Sequence, residues 1–220
     1  MLENLLTLLL AAGSPSPADD KGTLFAKEYI RGLSQVAQLR ADAARTGSTD
    51  EAGRLADCVK NGTRLQSELE ENSRTMRLIK LPGEQSESPE TVARIWDQEG
   101  TVYQKLTEMC AMFTPGSKPQ VDYGVVEAEA PKLAAKIHEL DRMLFESSPL
   151  VCDALLSDAS DAQGHSDHLI LTRKERDELV ATLNSSFPAI DEQNPDYLTS
   201  GAKVLKIFLA RSGHRAADER

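Results

Sequence analysis

Between residues 50 and 113 the apolar positions fall into two stripes. In the first, Leu55, Cys58, Val59, Leu65, Leu69, Met76 and Ile79 recur at three- and four-residue steps, with Gly62 and Asn72 in the remaining seam places. In the second, Val92, Ile95, Val102, Leu106, Met109 and Phe113 repeat the spacing, with Glu99 in the seam. Such steps place each set on one side of an α-helix, and a stripe of this kind must be buried against a neighbour. The nearest neighbour is the other helix, reached through a turn at residues 81–88 that carries Pro82, Gly83 and Ser86. The pattern therefore predicts an antiparallel helical hairpin over residues 50–113.

The flanking segments carry the same period. Residues 23–45 place Phe25, Tyr29, Leu33, Val36, Arg40 and Ala43 on one stripe, widened by Ile30, Ala37 and Leu39. Gly47 ends this helix, and Ser48, Thr49 or Asp50 is placed to cap the next by accepting its free amide protons. Ser88, Pro89 and Glu90 predict the start of the second hairpin helix: a hydroxyl cap, a proline where no amide is needed, and an early negative charge. Residues 114–123 contain Pro115, Gly116 and Pro119 and read as an irregular connection. A further helix runs from Val125 or Pro131 to Phe145 with Ala130, Leu133, Ile137, Leu140 and Leu144 as its buried line. Ser147, Ser148 and Pro149 then restart a short helix bearing Leu150, Val151, Ala154 and Leu155. After a polar loop at residues 157–168, Thr172 and Glu175 match a capping box for a helix with Leu179, Val180 and Leu183. Asn194 and Pro195 open the last helix, whose line is Leu198, Ala202, Leu205 and Leu209, broadened by Val204, Ile207 and Phe208. The expected architecture is all-α, a helical bundle of about six principal helices in one domain over residues 23–212. Residues 1–22 precede it as an apolar segment and linker, and residues 213–220 follow as a charged, frayed tail.

Composition supports this class. Aromatic residues are 5% of the chain against 40% hydrophobic residues overall, so aliphatic side chains and Ala fill the core. Alternating runs of Val, Ile, Thr and Tyr are nearly absent, which favours helix over sheet. The formal charge of -10 sets up a field that repels phosphate backbones and anionic lipid, so nucleic acid is not an expected partner. Acidity of this kind keeps a helical protein soluble, and it also suits docking on a basic protein. Residues 1–12, MLENLLTLLLAA, are too short to span a bilayer. They read either as an amphipathic helix with Leu2, Leu5, Leu6 and Leu9 on one face or as the apolar part of a signal peptide, though Glu3 stands where a basic residue is usual. The expected compartment is the cytoplasm, with export to an extracellular or periplasmic space as the alternative if residues 1–18 act as a signal. Cys58, Cys110 and Cys152 form no CxxC pair and lie among apolar neighbours. They are expected to be small core hydrophobes, with one disulfide and one spare thiol as the arrangement for an exported chain.

Candidate chemistry is sparse. If the hairpin folds back about residue 84, Asn72 and Glu99 lie within about a helical turn of the same level, since each residue rises ~1.5 Å. They form a candidate buried polar pair, either setting the register of the hairpin or turning a carboxylate toward a ligand or metal. None of His138, His165, His168 and His214 follows a Glu at the three-residue spacing used by carboxylate-bridged metal bundles. His138, Glu139 and Asp141 read as one charged, solvated helix face. In the polar loop, His165 and His168 with Asp158, Asp161 or Asp167 are weak metal-ligand candidates at no recognised spacing, and a calcium loop counted from Asp158 fails at its turn glycine and at its twelfth residue. Phosphate-loop, nucleophile-elbow, dinucleotide and zinc-protease motifs are absent. No catalytic residue, cofactor or metal is assigned. The expected role is binding to another protein, with a basic protein as the partner the acidic charge suits, as an adaptor, inhibitor or immunity-type protein. The alternatives are an enzyme or metal-binding bundle centred on Glu99 or on the His165/His168 loop, and an exported helical protein of unassigned role.

Overall fold

The computed structural model describes residues 21–113, 123–163, 179–181, 183 and 197–218. Among them are six α-helices with described bounds and no strand: α1 Lys21–Thr46, α2 Glu51–Leu78, α3 Ser88–Met112, α4 Tyr123–Glu146, α5 Ser148–Gln163 and α6 Tyr197–Asp218. A 3₁₀ turn, Gly83–Glu87, joins α2 to α3. The chain is an all-α helical bundle.

The hairpin of α2 and α3 is the most extensively packed pair, as its two stripes require. Leu65, Leu69, Met76 and Ile79 from one side meet Val92, Ile95 and Val102 from the other, and all are buried. Asp50 caps α2, its Oδ1 accepting the Gly53 amide at 2.8 Å. Gly83 has φ +56, the left-handed backbone that a residue with a Cβ adopts only at a cost, and this lets the chain reverse. Ser88 begins α3 and Pro89 occupies its first turn, but the Ser88 hydroxyl lies 3.1 Å from Gln85 Oε1 and caps no amide. The expected hydroxyl cap is thus replaced by the 3₁₀ turn running directly into the helix.

Helix α1 lies across this hairpin and against α5 and α6, while α4 packs on α3 and α6. The α1 stripe, Phe25, Ala26, Tyr29, Ile30, Leu33 and Val36, is fully buried. Gly32 sits within it because the Trp96 indole fills the space a side chain would take: a Cβ there would stand 2.5 Å from two ring carbons. Tyr29 reaches the corner between α4 and α5, donating to the Leu144 carbonyl at 2.5 Å and standing 3.0 Å from Ser148 Oγ. Burial pushes its phenol up to about 12, so it stays a neutral donor that holds the corner. Leu140, Leu144, Val151, Ala154, Leu155, Leu179, Leu183, Leu198, Ala202, Leu205 and Leu209 complete one continuous hydrophobic cluster.

Some expectations need correction. Helix α4 starts at Tyr123 and runs through Pro131, whose missing amide is tolerated on an exposed part of the helix where water reaches the unpaired carbonyl. Helix α5 continues to Gln163, so residues 157–163 are helical where a loop was expected; Asp and Ser lower helix propensity only slightly, and the packed first turns propagate the helix. Ile207 is 54% exposed and does not widen the α6 line. The helix of α6 extends as far as Asp218. Residues 1–20, the connection at 114–122, His165, His168 and the capping box at Thr172 lie outside the described residues.

Candidate functional site

Three helices each contribute an ionisable side chain to one place inside the bundle. Arg40 continues the apolar stripe of α1 by one more step, so its stem enters the interior while its head meets α3 and α4. Its Nη1 and Nη2 donate to Asp141 Oδ2 and Oδ1 at 2.9 and 3.0 Å, a two-pronged grip on the α4 carboxylate. Nη2 also donates to Glu99 Oε1 at 2.5 Å, and Nε to the Tyr103 hydroxyl at 2.9 Å. The Glu99 side chain is 0% exposed, that of Asp141 6% and that of Arg40 24%, so Arg40 is the member of the cluster that solvent reaches most.

Electrostatics follow from one cation between two carboxylates. Burial pushes Glu99 up to about 7; the attraction of Arg40 opposes this, and the negative charge of Asp141 adds to it. Burial disfavours the charge on Arg40, but Glu99, Tyr103 and Asp141 outweigh it and raise the guanidinium further, so Arg40 is always charged. Tyr103 is pushed up to about 12 by burial and remains a neutral phenol. The arrangement is an ionic clamp that ties α1, α3 and α4 and holds, on Glu99, a proton exchangeable near neutrality.

The residues singled out from sequence are distributed unevenly about this clamp. Asn72 and Glu99 are both buried, but no hydrogen bond joins them: Asn72 Oδ1, Asn72 Nδ2 and Glu99 Oε2 have no hydrogen-bond partner. The partner that Glu99 does take, Arg40, comes from a third helix. Asp141, expected on a solvated face, is buried because α4 turns that position toward α1. Arg40 was visible as a lone cation in an apolar stripe, which is the signal that a carboxylate awaits it across the packing surface. Asp161 lies in the α5 backbone; His165 and His168 are outside the described residues. Among the described residues no group of three His, Cys, Asp or Glu is placed to hold a metal ion, and no helix is long and apolar enough to cross a membrane.

A second feature lies at the open end of the hairpin. Cys58 and Cys110 form a disulfide with their Cα atoms 6.2 Å apart, where small core hydrophobes were expected. Cys58 occupies a seam position and Cys110 follows directly on the seam residue Met109; each stands 26 residues from Glu84, so folding back at the turn brings them level. Cys152 is a buried free thiol. Beside the disulfide runs an open groove of about 420 Å³, lined by Glu51, Arg54 and Leu55 of α2, Leu106 and Met109 of α3 with Phe113 just past its end, and Val126 and Ala130 of α4.

No family model, curated protein or solved structure matches this chain. The functional reading accordingly rests on the clamp, the groove and the charge.

Proposed function

We propose that the protein acts by binding another protein, and that the groove beside Cys58 and Cys110 receives an amphipathic helix with basic flanks. The observation that carries this reading is the groove itself: an open, mostly apolar recess of about 420 Å³ that Met109 and Phe113 line together with Leu55, Leu106 and Val126, surfaces suited to the apolar face of a helix. The overall charge of -10 favours a basic partner, and the exposed residues Glu108 and Glu127 stand next to Met109 and Val126. Opposite charges accelerate encounter and lose that advantage as salt rises. The clamp serves this role as scaffold, fixing α4 against α3 so that the third wall of the groove keeps its position.

The test is a synthetic Leu/Lys amphipathic helix titrated into the full chain and read by fluorescence anisotropy. Met109→Asp, which places a charge on the groove wall, is expected to weaken binding at least tenfold, and the on-rate for the unaltered protein is expected to fall as salt is raised. Equal binding by the variant, or an on-rate independent of salt, would count against the reading. The disulfide also bears on compartment, because such bonds persist where the surroundings are oxidising. It favours the exported alternative, with residues 1–18 acting as a signal. Intact-mass measurement on the natively produced protein decides this: loss of the mass of those residues supports export, and a full-length chain opposes it.

A further inference from the structure

We infer that the Cys58–Cys110 bridge is a thiol–disulfide exchange site for dithiol reductants, and that opening it loosens the end of the hairpin and reshapes the groove. The inference rests on the hairpin's own geometry and needs no partner.

The interior of the bundle begins at Gly62 on α2 and ends at Tyr103 on α3. Outside those points, residues 51–61 and 104–113 contain no fully buried side chain, and neither do residues 124–139 on the facing part of α4. All three walls of the groove therefore stand beyond the core, held by half-buried Leu55, Val59, Leu106, Met109 and Phe113 and by one covalent brace. Both bridged cysteines line the open groove, so a small dithiol reaches the sulfurs without unfolding the bundle. In the other cysteine the opposite holds. Cys152 lies in the core on α5, where burial pushes its thiol up to about 11, so it is neither accessible nor appreciably ionised near neutrality.

The exchange balances with the reductant alone. One thiolate of the dithiol attacks a bridge sulfur, forming a mixed disulfide while the other cysteine leaves as a thiolate and takes up a proton. The second thiolate of the reductant then attacks its own sulfur in the mixed disulfide, closing the reductant's ring and releasing the remaining cysteine. Two electrons pass from the reductant to the protein. What the bundle loses is the constraint that keeps two weakly packed helix ends at one spacing; what it keeps is every core contact inward of Gly62 and Tyr103.

The experiment treats the full chain with dithiothreitol under native conditions and alkylates it with iodoacetamide for peptide mass mapping. Amide exchange of the oxidised and reduced forms is followed in parallel. Cys58 and Cys110 are expected to resist alkylation before reduction and to be alkylated together after it, with Cys152 unlabelled in both states. Exchange is expected to rise at least tenfold in residues 51–61 and 104–113 and to change less than twofold in residues 65–76 and 92–103. A double variant, Cys58→Ser with Cys110→Ser, is expected to show the reduced pattern without reductant; if it fails to fold, the reductant comparison decides alone. The inference is overturned if both cysteines alkylate before reduction, if the bridge opens only in denaturant, if exchange at the helix ends is unchanged, or if exchange rises along the whole chain. None of these outcomes depends on whether a helix binds the groove, so failure of one proposal is separable from failure of the other.

Discussion

Glu99→Gln isolates the proton held inside the clamp. The substitution keeps the side-chain shape and an oxygen acceptor for Arg40, and removes the charge that burial penalises. Burial raises Glu99 from the usual 4.5 to about 7 despite Arg40, so between those values the folded protein binds a proton that the unfolded chain releases. Stability contributed at this site is therefore greatest when Glu99 is protonated in both states, and it falls as pH rises through that window. Integrating the linkage relation from pH 5 to pH 8 gives a loss on the order of 2 to 3 kcal/mol attributable to Glu99. The full burial of the carboxyl means that little of this is screened by solvent. Urea denaturation of the oxidised protein and of Glu99→Gln at pH 5, 6, 7 and 8 provides the assay. The difference in unfolding free energy between variant and parent is expected to shift in favour of the variant by about 2 kcal/mol or more across that range. Parallel pH profiles would refute the reasoning, because they would mean that Glu99 ionises at the same pH folded and unfolded.

Three further substitutions probe the clamp and the packing of the bundle. Arg40→Ala leaves Glu99 and Asp141 buried without their cation and is expected to cost about 3 to 5 kcal/mol at pH 7 by urea denaturation, and less at pH 5, where Glu99 accepts a proton instead. Asn72→Leu replaces a buried amide whose oxygen and nitrogen both lack partners with an apolar side chain of similar length, and is expected to raise stability by about 1 kcal/mol or more; a loss of that size would show that Asn72 has a bonding role. Gly32→Ala puts a methyl group against the Trp96 ring and is expected to destabilise by about 1 to 3 kcal/mol, with a change in Trp fluorescence reporting the displaced indole.

The helices were legible from sequence because burying a stripe against a neighbour demands a fixed spacing, and that spacing is local. Leu65, Leu69, Val92, Ile95, Val102, Leu198 and Leu205 all lie inside, as their periodicity requires. The turn at Gly83 was legible for the same reason, and the cap as one of Ser48, Thr49 or Asp50, of which Asp50 takes the place: each is a short stretch whose backbone needs are met by residues beside it. Reading the polar residues of the seam was harder. A carboxylate at position 99 announces that something must compensate it, but the chain between Arg40 and Glu99 gives no spacing rule to name the partner. Asp141 was harder still. Its neighbours His138 and Glu139 are exposed and polar, and only the rotation of α4 against α1 turns one member of that run inward.

The sequence by itself determined that this chain is helical, that its centre is a hairpin, and that its surface is acidic, since each follows from side-chain identity and short-range periodicity. The disulfide stood between these cases: equal distances of Cys58 and Cys110 from the turn make the bond geometrically available, while their apolar neighbours suit buried thiols equally well. The tertiary structure alone decided which cation neutralises Glu99, that Asp141 is interior, and that an open groove lies beside the bridged cysteines. Those outcomes depend on how three or more helices cross, and crossing is set by the summed fit of many side chains at once.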